Sequence, residues 1–296
     1  MKYPINLNLK ISTGHNLWKL PSDDLLKFIQ SDKTSLDEFD TLLFLPPKKS
    51  RIDEGGFRKN GYFKKSFKNN PLITVITVVY NGEQSIEGTI LSVLSQNYCN
   101  LEYIIIDGGS TDQTLGIIKK YNFAIDYWIS EKDDGIYDAM NKACRLAMGK
   151  GLIFLNSGDK FIDQVFKKKP KIPSIIPCHV LEKDKKNWIK KLSDPKCGMP
   201  TSHQAMIFSN KKILYDLNYK VSSDYDFYLK HGIFLNLNYN AELSGYVLYD
   251  NCGFSKKNRF KRDMETLKII NKYFGLYTSI KFIKKRLLKL ILSVFS

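Results

Sequence analysis

The sequence predicts an α/β fold in which a mostly parallel central sheet is flanked by helices. From residue 71 onward, β-branched runs alternate with segments whose apolar residues recur at helical spacing. The first two runs are almost entirely apolar, which is typical of central parallel strands covered on both faces. Strands and helices that alternate at this spacing favour right-handed crossovers, which place the helices against the sheet.

The first two strands and their helices follow in order. LITVITVV at 72–79 and LEYIIID at 101–107 are the predicted strands. Between them, one helical face carries Ile86, Ile90, Leu91, Val93 and Leu94. A loop of glycine and hydroxyl residues at 108–112 follows the second strand and leads into a short helix that ends near Tyr121.

The pattern continues with a strand at 127–130, a helix at 136–147 and a strand at 151–156. Glycines at positions 149 and 151 close the helix. Ligands of such sheets bind at the carboxyl ends of the strands. Those ends are residues 80–81, 107–110, 131–135 and 156–159.

The remaining segments are less regular. Residues 165–200 carry lysine runs and prolines, which predict loops or short antiparallel strands. Order returns at 204–209, and Ser222 and Ser223 are candidate caps for a helix over SDYDFYLKHG. Among the first seventy residues we expect one helix, at 22–30, before a basic stretch that contains glycines.

The net charge of +16 is unevenly distributed. Residues 256–296 hold 12 Lys and Arg against 2 Asp and Glu, so the rest of the chain carries only +6. Basic surfaces attract nucleic acid, but no recognition helix, zinc module or interleaved aromatic and basic pattern accompanies this charge. Nucleic-acid binding is therefore a disfavoured alternative.

Other classes are disfavoured by missing signals. The five cysteines form no CxxC pair, which favours reduced thiols and argues against structural zinc. The N-terminus lacks the apolar core of a signal peptide, and no stretch reaches about 18 apolar residues, so we expect neither a leader nor a membrane span. No GxGxxG follows the first strand, which disfavours a dehydrogenase.

Residues 71 to about 255 resemble family 2 glycosyltransferases with the GT-A fold. The matching stretches are ITVVYNGEQ, SVLSQNY, LEYIIIDGGSTDQT, DGIYDAMNKA, FLNSGD, TSHQAM and SSDYDFYLK. DGGSTD with DGIYDAMNKA and SGD resembles the branch that builds bacterial surface polysaccharides such as O-antigen and capsule. GGFRKNGYFKKSF, upstream, is similar to segments of the same enzymes.

The resemblance implies a domain organisation. A GT-A domain at 71–255 would have a nucleotide-binding half at 71–160 and an acceptor-binding half at 161–255. It would lie between an N-terminal extension of unassigned fold at 1–70 and a basic tail of amphipathic helices at 256–296.

The resemblance also implies a site for a UDP-sugar donor. Its expected contacts at the ends of the first two strands are Thr77, Val79, Tyr80, Asn81, Glu83, Asp107, Gly109 and Ser110. Asp134 and Gly135 precede a helix whose first amides would face ribose or phosphate. Asn141 matches the asparagine of the family in this helix. The alternatives are that Asp107 and Asp134 only cap turns or helices and that Asn141 faces solvent.

FLNSGD ends a buried strand with a single acid. The family usually has two acids separated by one residue, and here Ser157 replaces the first, which leaves Asp159 as the expected ligand of Mn²⁺ or Mg²⁺. One carboxylate suffices when phosphate oxygens and waters complete the coordination, but we expect a weakly held ion. Asn156, Ser157 and Gly158 are small enough to let the donor approach the backbone. The alternative is a plain surface turn.

The resemblance places the catalytic base at Asp224, with Asp226 as its nearest rival. Both lie in the first turn of the predicted helix, where the macrodipole favours an ionised carboxylate. The alternative for either is stabilisation of the helix N-terminus. His203 is expected to contact phosphate or orient the acceptor, or to be a hydrogen-bonded structural histidine.

The tail repeats apolar residues at helical spacing, namely Ile280, Ile283, Leu287, Leu290, Ile291 and Val294. The opposite side carries Lys281, Lys285, Arg286 and Lys289. Such a helix suits an anionic bilayer surface, and the alternative is ordinary packing on the domain.

These features lead to one prediction of function. We expect an inverting enzyme that transfers a hexose or N-acetylhexosamine from a UDP-sugar to a saccharide linked to lipid through a diphosphate. It would act in the cytoplasm, peripherally bound to the inner face of the cell membrane. A non-catalytic protein of the same fold is the alternative.

Overall fold

The computed structural model describes residues 17–19, 41–166, 169–181, 187–232, 245–250 and 258–292. The helix expected at 22–30 and the apolar residue Val294 lie outside these residues.

Strands and helices alternate through the described part of the chain. In chain order the strands are Leu17–Lys19 (β1), Arg51–Gly55 (β2), Tyr62–Lys64 (β3), Ile73–Val79 (β4), Leu101–Asp107 (β5), Tyr127–Glu131 (β6), Gly151–Phe154 (β7), Lys160–Ile162 (β8), Ser174–Ile175 (β9), Cys178–Leu181 (β10), Asn187–Ile189 (β11), Met206–Ser209 (β12) and Tyr246–Asp250 (β13). The α-helices are Ile86–Leu94 (α1), Thr114–Lys120 (α2), Ile136–Leu146 (α3), Ser223–Lys230 (α4) and Arg259–Leu292 (α5). Short 3₁₀ helices lie at Phe57–Asn60, Pro195–Cys197 and His203–Ala205.

The central sheet has the strand order β2-β6-β5-β4-β7-β12-β9. Its middle strands β6, β5, β4 and β7 run parallel, while β2, β12 and β9 add antiparallel pairs at the two edges. Every residue of β4 and β5 is buried, which explains why neither strand alternates regularly between apolar and polar residues. The predicted α/β fold with a mainly parallel sheet is confirmed.

Two hydrophobic cores cover the faces of this sheet. Alternate residues of β4 serve opposite cores, as the period of a strand requires. Ile73 and Val75 pack in the core that contains residues of α1 and α2, whereas Ile76 and Val78 pack in the core that contains residues of α3, α4 and α5. Leu91 of α1, which was predicted to face the core, is 38% exposed.

The N-terminal region contributes to the central sheet. β2 pairs with β6, and the 3₁₀ helix Phe57–Asn60 that follows β2 buries the side chain of Arg58, which is 1% exposed. Arg58 Nη2 lies 2.6 Å from Glu102 Oε1 and also donates to the carbonyl of Leu146. Gly56 starts this turn with φ 98°, and a Cβ there would come within 2.8 Å of backbone oxygens. Residues 51–64 are thus built into the same domain as residues 71 onward.

The segment predicted as loops or short antiparallel strands contributes to a second, mixed sheet of order β11-β10-β13-β8. β10 and β11 form the expected antiparallel pair, but β10 pairs in parallel with β13. A two-stranded sheet joins β1 to β3.

Helix α5 is interrupted at Gly275, which has φ 77° and ψ 178°. Its first half is hydrogen-bonded to the loop before α4, where the Glu265 carboxylate accepts the backbone N–H groups of residues 220–222 at 2.8–2.9 Å. Ile269, Ile270 and Phe282 are buried in the core.

The second half of α5 keeps an apolar face exposed. Leu276, Ile280, Ile283 and Leu287 are each more than 40% exposed. The second half of α5 therefore packs on the domain through Phe282, and the apolar stripe predicted from the sequence faces solvent. No helix among the described residues is both long and apolar enough to span a bilayer.

Candidate active site

A cavity of about 940 Å³ opens beside the carboxyl ends of β4 and β7. Its walls come from the loops after these strands, the starts of α3 and α4, and helix α5. A second cavity of about 660 Å³ adjoins it over the start of α3. The two share Val78, Val79, Tyr80, Ile136 and Tyr137.

The loops after β4 and β5 lock each other in place. Asn81, at φ 49°, donates its N–H to Ser110 Oγ at 2.7 Å and accepts the N–H of Thr111 at 2.9 Å. The Glu83 carboxylate accepts the N–H of Gln113 at 2.9 Å, just before α2. Of the residues predicted to contact the UDP-sugar at the end of the first strand, Val79, Tyr80 and Asn81 line the larger cavity, whereas Glu83 lines neither cavity.

Two further residues predicted to contact the UDP-sugar, Thr77 and Asp107, are buried in the sheet. Thr77 donates to the carbonyl of Leu155 at 2.7 Å, and Asp107 accepts the N–H and hydroxyl of Ser110 and the hydroxyl of Ser130. Asp107 is fully buried. It organises the loop that contains Gly109, which has φ 82°. Thr77, Asp107, Gly109 and Ser110 line neither cavity.

The start of α3 lines the smaller cavity through Asp134 and Gly135. Gly135 has φ 109° and donates its N–H to Asp133 Oδ1 at 2.9 Å. Burial raises the pKa of Asp133. Asn141 lies nearly two turns further along α3. Its amide N–H donates to the carbonyl of Tyr215, and its side-chain oxygen accepts the N–H of the same residue. Asn141 faces neither solvent nor the cavities.

The loop after β7 brings Asn156, Ser157 and Asp159 to the larger cavity. Ser157 Oγ lies 2.8 Å from the hydroxyl of Ser85. Gly158, at φ 103°, turns the chain so that Asp159 follows with only 3% exposure. Asn156 Oδ1 is buried without a hydrogen-bond partner among the described residues. In the same residues no group of three or more His, Cys, Asp or Glu side chains is placed to hold a metal.

Asp224 lies at the cavity wall in the first turn of α4. The Tyr137 hydroxyl donates to the carbonyl of Val221 at 2.8 Å and lies 3.4 Å from Asp224 Oδ1. His203 Nδ1 is 3.5 Å from Asp224 Oδ2, and His203 also lines the cavity. Burial and the Asp224 carboxylate raise the pKa of Tyr137 well above its ordinary value, so this phenol stays protonated.

Asp226, the rival base, is not part of the described cavity walls. It is fully buried beside two lysines, with Lys272 Nζ 2.9 Å from Oδ1 and Lys230 Nζ 2.8 Å from Oδ2. Tyr273 donates to Oδ1 at 3.1 Å. Burial opposes ionisation of Asp226, but hydrogen bonds from Lys230 and Lys272 outweigh it and hold the pKa of Asp226 below its ordinary value. Asp226 thus fastens α4 to α5.

Asp226→Asn is expected to lower the free energy of unfolding by about 2 kcal/mol at pH 7, because the partly exposed Lys230 and Lys272 lose their buried ion-pair partner. A lowered folded pKa stabilises the fold above the ordinary pKa of 3.8 and less so as the pH falls through the folded value. The difference between variant and wild type should therefore shrink in acid. Urea unfolding at pH 7 and pH 3 measures it, and a loss of turnover with unchanged stability would contradict this role.

Four cationic side chains also line the larger cavity, namely Lys190, Arg259, Arg262 and Arg286. Burial lowers the pKa of Lys190, whose ammonium donates to Ser202 Oγ at 3.2 Å. Sequence reasoning missed these four because helical periodicity assigned Arg286 to the outer face of the tail and no local pattern marked the others.

The family model described as "Glycosyl transferase family 2" matches residues 74–168. This segment contains Asp107, Asp134 and Asp159 but ends before His203 and Asp224. The assignment of the last two therefore depends on the geometry of the cavity.

Among curated relatives, the putative teichuronic acid biosynthesis glycosyltransferase TuaG of Bacillus subtilis is 42% identical over 95 residues, which are 31% of this chain and 37% of TuaG. WfaP of Escherichia coli, a UDP-Glc:alpha-D-GlcNAc-diphosphoundecaprenol beta-1,3-glucosyltransferase, is 37% identical over 92 residues, with the same shares. The chain spans little more than a third of the length of the curated relatives it matches.

Among solved structures, Staphylococcus aureus TarS 1–349 in complex with UDP superposes with a TM-score of 0.52 at 16% identity. The match covers 72% of this chain and 70% of TarS 1–349. At this identity the likeness concerns the fold. Residues 74–168 thus match the model of family 2 glycosyltransferases, within a chain that has the GT-A fold.

Proposed function

We propose that this protein is an inverting glycosyltransferase that moves a hexose or N-acetylhexosamine from a UDP-sugar to a saccharide linked to lipid through a diphosphate. The observation that carries the proposal is that one cavity is lined by both Asp159 and Asp224. Transfer needs a carboxylate that would hold a divalent cation for the departing diphosphate and a base for the incoming hydroxyl, and both must face a common space. The names of TuaG and WfaP support surface polysaccharide synthesis as the context.

The two adjoining cavities suit the two parts of the donor. We assign the nucleoside to the smaller cavity, beside Asp134 and Gly135, and the sugar to the larger one. The shared wall includes Tyr80, which is 64% exposed and could stack its ring on the uracil base. UDP is the nucleotide bound in the TarS complex, which supports the choice of donor class.

A divalent cation fits the loop after β7. Asp159 supplies a carboxylate, and the unpartnered carbonyl oxygen of Asn156 lies in the same cavity wall. Oxygen ligands of this kind suit Mn²⁺ or Mg²⁺, and a site with one carboxylate would hold the ion weakly unless the donor diphosphate is present. When bound, the ion neutralises charge on the leaving diphosphate.

Asp224 acts as the general base. Its carboxylate takes the proton of an acceptor hydroxyl while that oxygen attacks the anomeric carbon and the bond to the UDP oxygen breaks with its electron pair. A single displacement inverts the anomeric configuration. Tyr137, His203 and the N–H of Tyr225 surround the carboxylate and orient it.

The test is UDP release from a panel of UDP-hexoses and UDP-N-acetylhexosamines, with a GlcNAc-diphosphate lipid as acceptor, with and without Mn²⁺. One donor should turn over with added Mn²⁺. Asp159→Asn should lose most of this activity, while Asp163→Asn, an exposed carboxylate outside both cavities, should retain it. Absence of acceptor-dependent release from every donor would refute the proposal.

We also propose that the second half of α5 holds the enzyme against the inner face of the cell membrane. Its exposed apolar stripe, which includes Ile283 and Leu287, is flanked by the exposed Lys281, Lys284 and Lys285. Apolar residues that enter the interface beside cations suit an anionic lipid surface.

Ile283→Asp with Leu287→Asp is expected to lower partition onto phosphatidylglycerol vesicles roughly tenfold or more, because apolar burial is lost and anionic charge is added. Co-sedimentation measures the bound fraction. Phe123→Asp, which changes an exposed aromatic residue elsewhere on the surface, is the control and should bind like the wild type. Equal binding of the double variant and the wild type would contradict the anchor.

A further inference from the structure

The larger cavity has a surplus of positive charge. Its described lining residues include four cationic side chains, Lys190, Arg259, Arg262 and Arg286, but only two carboxylates, Asp159 and Asp224. The reaction described above uses none of the three arginines. A donor diphosphate held with a divalent cation already has much of its charge neutralised, so the surplus suits a second anionic group.

Two of the arginines share one carboxylate oxygen. Arg262 Nε and Nη2 lie 3.4 Å from Asp263 Oδ1, and Arg286 Nη2 lies 3.0 Å from the same atom. Each guanidinium has five N–H donors, so one shared oxygen occupies only a part of their donor capacity. Both side chains line the cavity and are about one-third exposed.

Hydrogen bonds hold the first half of α5, which carries Arg262, beside the segment that leads to Asp224. The Ser222 hydroxyl donates to the carbonyl of Arg262 at 3.1 Å, and Glu265, one turn along α5, binds the N–H groups of residues 220–222. This segment runs directly into Asp224. An anion on these arginines would therefore lie with the acceptor that Asp224 activates.

Arg286 also lies next to the exposed apolar stripe of α5. Ile283 and Leu287 are its neighbours on the helix and are 41% and 56% exposed. A lipid chain on that stripe would bring the first group of its polar head to the mouth of the cavity within about one helical turn.

We propose that Arg259, Arg262 and Arg286 bind the diphosphate that joins the acceptor saccharide to its lipid. The inference rests on the proposed function and names the part of the acceptor that the cavity recognises. Guanidinium groups bind phosphate oxygens through paired, charge-assisted hydrogen bonds, which a lysine at the same place would not reproduce.

The test compares three probes by titration calorimetry: an undecyl diphosphate ester of GlcNAc, undecyl GlcNAc without the diphosphate, and UDP with Mn²⁺. Arg262→Gln and Arg286→Gln should each weaken binding of the diphosphate probe roughly 10- to 100-fold. The Kd of the uncharged probe and of UDP should change less than twofold. Lys268→Gln removes the same charge from the exposed side of α5 and should leave all three Kd values unchanged.

Arg259→Gln provides a variant that leaves the contacts of Asp263 intact, in case their loss unfolds α5. An unchanged Kd for the diphosphate probe in Arg262→Gln, Arg286→Gln and Arg259→Gln overturns the proposal. A loss of UDP affinity as large as the loss of probe affinity also overturns it, because the arginines would then serve the donor. Wild-type protein that binds the probe but releases UDP from no donor would refute the proposed function and leave the diphosphate site in place.

Discussion

Replacing Asp224 by Asn is expected to lower the turnover of sugar transfer by roughly 10²- to 10⁴-fold, the usual contribution of a positioned base. Asn is isosteric and can still accept the N–H of Tyr225, which the carboxylate accepts at 2.9 Å. It cannot take the proton of the acceptor hydroxyl. The kcat measured at saturating donor and acceptor gives the effect, and the Kd of UDP should stay within twofold of wild type.

Asp226→Asn is the matched control, since it removes a carboxylate two residues away that is paired with Lys230 and Lys272. Its kcat, corrected for the folded fraction, should remain within a few-fold of wild type. Equal turnover in Asp224→Asn and wild type would remove the assigned base, and a large loss in the control alone would transfer the role to Asp226.

Arg58→Met is expected to lower the free energy of unfolding by about 3–5 kcal/mol, because it leaves the Glu102 carboxylate buried without its cationic partner. Both side chains are 1% exposed. Among the described residues, Glu102 would retain two neutral donors, the hydroxyl of Thr74 at 2.6 Å and the N–H of Met148 at 2.9 Å. Urea-induced unfolding at pH 7 measures the change.

Lys59→Met is the control, because the neighbouring Lys59 is 39% exposed in its ion pair with Glu54 and should contribute less than about 1 kcal/mol. Arg58→Met combined with Glu102→Gln should recover part of the loss, since no buried charge is then left unpaired. If Arg58→Met cost no more than Lys59→Met, the buried pair would not stabilise the fold as inferred.

Strands β4 and β5 were predicted from sequence because a strand buried on both faces needs apolar residues at successive positions. The contribution of residues 51–64 was not predicted. The GGFRKN stretch has neither strand nor helix periodicity, and its role depends on Glu102, an acid inside an otherwise apolar strand. A buried acid within a strand implies a cationic partner, but the sequence does not identify which of many basic residues provides it.

In the candidate site too, the sequence predicts the positions of some residues but not the directions of their side chains. Asp159 was predicted because it follows a buried strand whose carboxyl end lies at the ligand-binding edge of the sheet, and Asp224 was predicted from the resemblance of SSDYDFYLK to the family. Both line the larger cavity, and their roles stay predictions. Asp107 has the same kind of position, yet its carboxylate turns inward to Ser110 and Ser130. The direction of a side chain at a strand end is set by hydrogen bonds to distant loops, which the pattern of apolar residues does not encode.

The hydrogen bonds from residues 220–222 to Glu265 limit how far this protein can be truncated from its C-terminus. Removing the chain from Arg259 onward would take away the Glu265 carboxylate that accepts the N–H groups of residues 220–222, the segment that leads to Asp224. It would also remove the buried side chains of Ile269 and Ile270 from the core. The first half of α5 is therefore part of the folded domain and cannot be removed with the rest of the tail. A shortened form must keep the residues up to the break in α5 at Gly275. Even that form would lose the buried side chain of Phe282 and leave a cavity in the core.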